Sequence, residues 1–166
     1  KRIMIDLHCH YLPGVDDGAE TLGDGLALCR AAVDNGITEA VLTPHVHPGR
    51  YDNTRTSLEP RFNSFRQAVE EAGIPLKLHL AGEVRLLPES LELIARGELP
   101  LLGRWQNALC ALIEFPHDKV PVGAFEAIAY LRRRGVCPVI AHPERNRAIM
   151  RDCSLLQPFV AARCLL

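Results

Sequence analysis

Side chains that can bind metal ions follow five short apolar segments of this sequence. They are His8, His10, His45, Glu83, Glu114 and His142. Imidazole nitrogens and carboxylate oxygens together suit zinc, manganese and iron. His8 and His10 are alternate residues, so on an extended segment they point the same way and can hold one ion. Asp17, in the following loop, can reach the same place. This set exceeds the roughly four ligands that one ion needs, so we predict more than one divalent metal.

The segments between these residues alternate between strand and helix character. Apolar runs predict strands at residues 2–7, 38–43, 76–80, 108–113 and 137–141. Helical spacing, with a glycine at most of the ends, predicts helices at residues 21–35, 57–72, 88–96 and 122–134, and a last helix that begins at Ser154. Short connections between alternating elements indicate a parallel sheet, open or closed into a barrel. In a barrel the carboxyl ends of the strands converge on one face, so the metal-binding side chains become neighbours.

The composition describes an ordinary globular chain. It has 166 residues, 48% of them hydrophobic and 23% charged, with a net charge of −1. Residues 1–166 are therefore expected to form one domain. The charge gives no basic surface for nucleic acid, and no apolar stretch approaches the ~20 residues that span a bilayer. The start of the sequence lacks a signal-peptide pattern, so we expect a cytoplasmic protein.

The six cysteines carry no recognisable chemistry. They form no C-x-x-C pair, which argues against a disulfide framework or a thiolate zinc site, and we expect most of them to be small core residues. None has an arginine six positions later, so the nucleophile loop of cysteine-based tyrosine phosphatases is absent. Three other histidines, His47, His79 and His117, are expected to be ordinary surface or core residues, although His47 and His117 lie in loops from which they could touch a substrate.

Six motifs resemble those of the polymerase-and-histidinol-phosphatase (PHP) superfamily. Within it, they resemble the bacterial manganese-dependent tyrosine-protein phosphatases of capsule and exopolysaccharide loci. The motifs are MIDLHCH at residues 4–10, LPGVDDG at 12–18, TPH at 43–45, AGE at 81–83, LIEF at 112–115 and AHPER at 141–145. H-x-H alone is a weak signal, but the whole set in this order is specific to that branch and covers almost the whole chain.

The resemblance implies an α/β fold, a distorted TIM-like (β/α)7 PHP barrel. It also implies up to three divalent ions, manganese first, with iron, zinc or magnesium as other candidates. Arg145 corresponds to the family's phosphate-binding arginine. The implied substrates are phosphotyrosines in the tail of a cognate membrane tyrosine autokinase that regulates polysaccharide synthesis and export. The implied metal ligands are His8, His10, Asp17, His45, Glu83, Glu114 and His142.

The resemblance is incomplete after Leu166, where members of the family continue with further strands and a D-x-H pair. We therefore expect a barrel that is incomplete at its C-terminus, and the ending 163–166 looks like the start of the next strand. The chemistry leaves two alternatives open. One is a small-molecule phosphatase such as a histidinol-phosphate phosphatase, and the other is a truncated, non-catalytic binder of the phosphorylated tail. The metal, the kinase and the oligomeric state are not determined by the sequence.

Overall fold

The structure is a computed structural model that describes residues 3–166, and it is a mixed α/β fold. The strands are β1 (Ile5–Cys9), β2 (Glu39–Leu42), β3 (His45–Val46), β4 (Lys77–Leu80), β5 (Glu83–Arg85), β6 (Gly103–Trp105), β7 (Ala108–Glu114) and β8 (Val136–Ile140). The helices are α1 (Leu22–Asp34), α2 (Arg55–Glu71), α3 (Pro88–Ala95), α4 (Ala124–Arg133), α5 (Arg147–Arg151) and α6 (Gln157–Ala161). Turns of 3-10 helix cover Pro143–Arg145 and Cys153–Leu156.

Two short sheets join into one parallel wall. The first has the order β1-β2-β4, and the second has the order β3-β5-β7 with β8 on the far side of β7. Residues 43–44 connect β2 directly to β3, and residues 81–82 connect β4 to β5. The backbone N–H of Ala81 donates to the carbonyl of Leu42 at 2.9 Å, which carries the ladder across the break. β6 runs antiparallel, as a hairpin with β7.

Two apolar clusters attach the helices to this wall. One joins β1, β2 and β4 to α1 and α2, with Phe62 and Phe65 of α2 among its buried members. The other joins β5, β7 and β8 to α3, α4 and α6, with Ile128 of α4 and Phe159 of α6 at its centre. The strands in these two clusters therefore have helices packed against them, and this packing fixes where the strand ends lie.

The four long helices agree with their predicted spans to within two residues at each end. α1 and α2 begin at capping boxes. Thr21 accepts from the backbone of Asp24 and Asp24 accepts in return, and Thr54 and Ser57 do the same. Such pairs satisfy backbone donors that a helix start leaves free, which explains why the sequence locates these starts well.

The short elements differ from the sequence prediction. β1 begins at Ile5 instead of residue 2, and Arg2 lies outside the described residues. β3, β5, β6 and α5 were not predicted, because two to five residues are too few to show a period. Ser154 lies in a 3-10 turn, and the last helix begins at Gln157. The predicted strand character of the ending is confirmed, since Leu165 pairs in parallel with Val139 of β8.

Candidate metal centre

The first strand brings two imidazoles to the carboxyl end of the wall. His8 lies within β1, rather than after it as predicted, and His10 follows the strand directly. Their Nε2 atoms are 3.4 Å apart. The same two nitrogens lie 3.1 Å and 3.2 Å from Oε2 of Glu83. Alternation along the extended backbone therefore points both rings at one carboxylate, as the H-x-H spacing predicts.

The breaks in the wall place the next two residues. His45 is the first residue of β3, Glu83 is the first residue of β5, and the two are direct partners in the parallel ladder. Nδ1 of His45 lies 3.2 Å from Oε2 of Glu83. The glycine before Glu83 is required by the close packing at this break, because a Cβ on Gly82 would stand only 2.9 Å from a methyl of Val46.

The last two strands complete the cluster. Glu114 is the final residue of β7, and His142 follows β8 by two positions. Nε2 of His142 lies 2.7 Å from Oε1 of Glu83. The backbone of His142 has φ 29° and ψ 57°, a conformation that costs free energy in a residue with a side chain and that is concentrated at functional sites.

The D-D-G loop closes over the cluster from one side. Oδ1 of Asp17 lies 3.3 Å from Nε2 of His45. The neighbouring Asp16 hydrogen-bonds to Nδ1 of His10 at 2.6 Å and to the backbone N–H of His45 at 2.9 Å. Asn53 joins the loop to β3, because its amide donates to the carbonyls of Val15 at 2.9 Å and His45 at 2.8 Å.

These side chains form three overlapping groups whose ligand atoms lie within 4.8 Å of one another. The groups are His8, Glu83 and His142; His10, Asp17 and His45; and His45, Glu83 and Glu114. All seven residues that the sequence proposed as metal ligands therefore lie together. Glu83 and His45 each belong to two of the groups. Four imidazoles face the carboxylate of Glu83, which makes it the centre of the cluster.

Two buried carboxylates show that the cluster suits a cation. Glu83 and Glu114 are 1% and 2% exposed. One oxygen of each, Oε2, is buried and makes no hydrogen bond of good geometry. Nitrogens of His8, His10 and His45 lie 3.1–3.2 Å from Oε2 of Glu83, whereas Nε of Arg85 lies 3.4 Å from Oε2 of Glu114. A buried anionic oxygen without a partner is expensive, so the donor set fits divalent ions held between carboxylates and imidazoles.

The charges in the cluster depend on one another. Burial opposes ionisation of Glu83, but the imidazoles of His10, His142 and His8 outweigh it and hold the pKa of this carboxyl well below its usual range. Burial also opposes a proton on His10, yet the hydrogen bond with Asp16 and the neighbouring carboxylate of Glu83 outweigh it and raise the pKa of the imidazole to about 9. Without a cation, imidazole protons balance the carboxylates, and metal binding would displace those protons.

Arg145 follows the cluster residue His142 by three positions. It ends the 3-10 turn that begins after His142. The Arg145 side chain is exposed. Its neighbour Asn146 is buried and fastens the turn, because its amide donates to the carbonyls of Pro116 at 2.7 Å and Lys119 at 2.8 Å.

The three other histidines have different surroundings. His79 bonds to Glu39 at 2.8 Å, outside the cluster, as an ordinary histidine would. His117 is half exposed, and its Nε2 lies 3.7 Å from Oε1 of Glu114, so it borders the cluster. His47 pairs through its backbone with Tyr51, whose ring stacks on His45. That His47 and His117 touch a substrate stays a prediction.

Three residues that were not proposed from the sequence support the cluster. Asp16 and Asn53 hold the loop, and Arg85 lies beneath Glu114, with Nε 3.4 Å from Oε2 of that carboxylate. The role of Asp16 could have been predicted from the sequence. A histidine that binds metal usually donates the N–H of its other ring nitrogen to a carboxylate, and the sequence offers two adjacent aspartates, Asp16 and Asp17. Asn53 and Arg85 had no signal, because their roles depend on contacts between segments.

The cysteines behave as predicted. Five of the six are buried, and only Cys153 is exposed. Cys9 lies between His8 and His10 in the sequence, and burial raises the pKa of its thiol. Burial also raises the pKa of Cys29 and of Cys164 to about 11. These three thiols therefore stay protonated near neutral pH and make poor nucleophiles.

The fold and the cluster define an α/β protein with a cluster of side chains that could hold metal ions at the carboxyl end of a parallel wall. Residues 4–166 match the family described as "Capsular polysaccharide synthesis, CpsB/CapC", and the chain belongs to that family. Among the residues that the structure describes, no helix combines the length and the apolar character needed to cross a bilayer.

Several relatives are named tyrosine-protein phosphatases. The chain is 38% identical over 157 residues to the tyrosine-protein phosphatase YwqE of Bacillus subtilis, an alignment that covers 95% of this chain and 61% of that protein. It is 31% identical over 153 residues to the putative tyrosine-protein phosphatase CapC of Staphylococcus aureus, with 92% and 59% covered. The chain thus spans about three-fifths of the length of these curated relatives.

A solved structure supports the same relationship. The chain matches one from a study of YwqE from Bacillus subtilis and CpsB from Streptococcus pneumoniae, described as unique metal-dependent tyrosine phosphatases. The TM-score is 0.85 at 38% identity, and the match covers 95% of this chain and 62% of the other. The mixed α/β fold is therefore shared with metal-dependent phosphatases.

Proposed function

We propose that this protein is a metal-dependent protein-tyrosine phosphatase, and that His8, His10, Asp17, His45, Glu83, Glu114 and His142 bind up to three divalent ions. The observation that carries the proposal is the pair of buried carboxylates, Glu83 and Glu114, each with a buried oxygen that makes no hydrogen bond. Imidazole and carboxylate ligands suit manganese, which we propose as the metal. The relatives named tyrosine-protein phosphatases support the reaction class.

We further propose that the parallel wall is part of a distorted (β/α)7 PHP barrel, within a single domain that includes residues 1–166. The proposed substrate is a phosphotyrosine in the tail of a membrane tyrosine autokinase that regulates capsule or exopolysaccharide synthesis. This is supported by the capsular polysaccharide family to which the chain belongs. We also propose a cytoplasmic location for this protein.

In the proposed mechanism the protein positions the phosphoryl group between the cluster and one arginine. Divalent ions bound by such ligands polarise phosphoryl oxygens and lower the pKa of a coordinated water. Arg145, on the turn after His142, would bind two phosphoryl oxygens through its planar guanidinium. A tyrosine leaving group has a parent pKa of about 10, so it needs less protonation than an alkoxide, and an aryl phosphate is the chemically easier substrate.

The test measures turnover by the purified protein of a phosphotyrosine peptide and of histidinol phosphate, with manganese and with a chelator. We expect peptide turnover that requires manganese and that is abolished by the chelator. Undiminished turnover in chelator would rule out the metal mechanism. Faster turnover of histidinol phosphate would favour the small-molecule phosphatase, and peptide binding without turnover would favour the non-catalytic binder.

A further inference from the structure

Asp16 makes contacts with three segments of the site at once. Its Oδ2 lies 2.6 Å from Nδ1 of His10 and accepts the backbone N–H of His45 at 2.9 Å. Its Oδ1 accepts the backbone N–H of Gly18 at 3.0 Å. Both oxygens thus act as acceptors toward the backbone, and the remaining short contact is satisfied when Nδ1 of His10 carries a proton and donates it.

That proton decides which nitrogen of His10 faces the cluster. With Nδ1 protonated, Nε2 of the neutral ring has a lone pair, and Nε2 lies 3.2 Å from Oε2 of Glu83 and 3.4 Å from Nε2 of His8. A ring with the proton on Nε2 would instead direct an N–H into the group of ligand atoms. The identity of the hydrogen bond on one ring nitrogen therefore sets whether the other can bind metal.

The packing of the loop around Asp16 holds the contact between Asp16 and His10 in place. Gly18 packs against His10 so closely that a Cβ would stand 2.3 Å from the carbonyl oxygen of His10 and 2.5 Å from its Cβ. The backbone N–H of Ala19 donates to the same carbonyl at 3.0 Å. The next residue after Asp16 is Asp17, which faces His45. One aspartate of the D-D-G loop thus orients the ligands and the other lies among them.

We propose that Asp16 is a positioning residue, which fixes the Nδ1–H form of His10 and holds the D-D-G loop against the start of β3. This inference rests on the metal-binding part of the proposed function and not on the phosphatase reaction. Asp16 itself is not placed among the metal ligands, and it acts through His10 and His45.

The test uses nitrogen-15 NMR of the histidine rings with zinc bound, because zinc is diamagnetic, together with zinc affinity measured by competition with a chelator. In the wild-type protein, we expect Nδ1 of His10 to carry a slowly exchanging proton and Nε2 to bind zinc. Asp16→Asn should lose or broaden that Nδ1–H signal and bind zinc about 10- to 100-fold more weakly, the usual effect of removing a partner of a metal-binding histidine.

Asp6→Asn is the matched control. Asp6 also lies near His8 and His10 in the sequence. It accepts from the backbone of His8 at 3.1 Å and from the hydroxyl of Tyr11 at 3.1 Å, and it contacts no imidazole nitrogen. This variant should leave the nitrogen signals of His10 unchanged. An equal change in both variants would indicate general loosening of the site and would overturn the assignment.

The outcomes separate this inference from the proposed function. Zinc binding by the wild type with Nδ1 of His10 as the ligand would overturn the inference even if Asp16→Asn did not fold. So would an Asp16→Asn variant that keeps the Nδ1–H signal and binds zinc within twofold of the wild type. Failure of the wild type to bind any metal would overturn both the inference and the proposed function. Metal binding without phosphatase turnover would overturn the reaction alone.

Discussion

Glu83 is the most informative residue to change, because its carboxylate lies among the imidazoles of the cluster. Its two oxygens face four imidazoles, and it belongs to two of the three groups of metal-capable side chains, whereas Asp17 belongs to one. Glu83→Gln keeps the shape of the side chain but removes its charge and half of its acceptor capacity. We therefore expect this variant to lose the ions of both groups, and Asp17→Asn to lose only one.

The size of the effect follows from linkage between binding and folding. Loss of an outer-shell partner weakens metal binding by about 10- to 100-fold, so loss of a shared ligand should cost at least about 100-fold. Manganese at 100 times its dissociation constant stabilises a protein by about 2.7 kcal/mol per ion, and most of that is lost when affinity falls 100-fold. The manganese-induced rise in Tm should therefore shrink by roughly 4–8 °C per ion in Glu83→Gln.

The assay is thermal unfolding with and without manganese, joined to metal analysis of the dialysed protein. Glu39→Gln is the matched control, because Glu39 also pairs with a histidine, His79, at 2.8 Å and with Lys77 at 3.1 Å, but it lies outside the cluster. It should leave metal content and the manganese-induced rise unchanged. Wild-type metal content in Glu83→Gln, or a larger loss in Asp17→Asn, would refute the shared role of Glu83.

Three further predictions test other parts of the site. Arg145→Ala should lower kcat/KM for an aryl phosphate by about 100- to 1,000-fold with metal content unchanged, and a change within twofold would exclude the proposed role. Gly18→Ala should lower both stability and manganese affinity, because its Cβ would collide with His10, whereas Gly23→Ala, whose Cβ would meet only Oγ1 of Thr21 at 3.6 Å, should be neutral or stabilising by up to about 1 kcal/mol in unfolding measurements. Alkylation of the native protein should leave phosphatase turnover unchanged, since five of the six cysteines are buried, and inactivation through modification at one thiol would contradict the mechanism.

The candidate site was largely predictable because its residues are tied to the ends of strands. A strand end can be recognised from an apolar run followed by a polar residue, and parallel strands bring such ends to one face. That reasoning gathered His8, His45 and Glu114 from distant parts of the chain, and the structure brings them into one cluster. It could not show that Glu83 is shared between two groups, since sharing depends on distances between four segments.

Some helices and strands could be predicted from the sequence, and others could not. Helix starts at Thr21 and Thr54 were close to their predicted positions because capping is a local interaction of side chain and backbone. β3 and β5 were not predicted, because they consist of two and three residues and exist only through pairing with each other and with β7. Their formation is a property of the assembled wall.

The sequence by itself determined the residue types, the order of strands and helices, and the convergence of metal-capable side chains, because these follow from local periodicity and from the parallel direction of the strands. The tertiary structure alone decided which side chains join the cluster and which hold it in place. Asp16 and Asp17 are adjacent and chemically identical, yet one oxygen of Asp16 lies 2.6 Å from Nδ1 of His10 while Asp17 faces Nε2 of His45. The physical reason is the path of the loop. That path is set by the packing of Gly18 on His10 and by the hydrogen bonds from Asn53 to Val15 and His45, which are contacts between different segments of the chain.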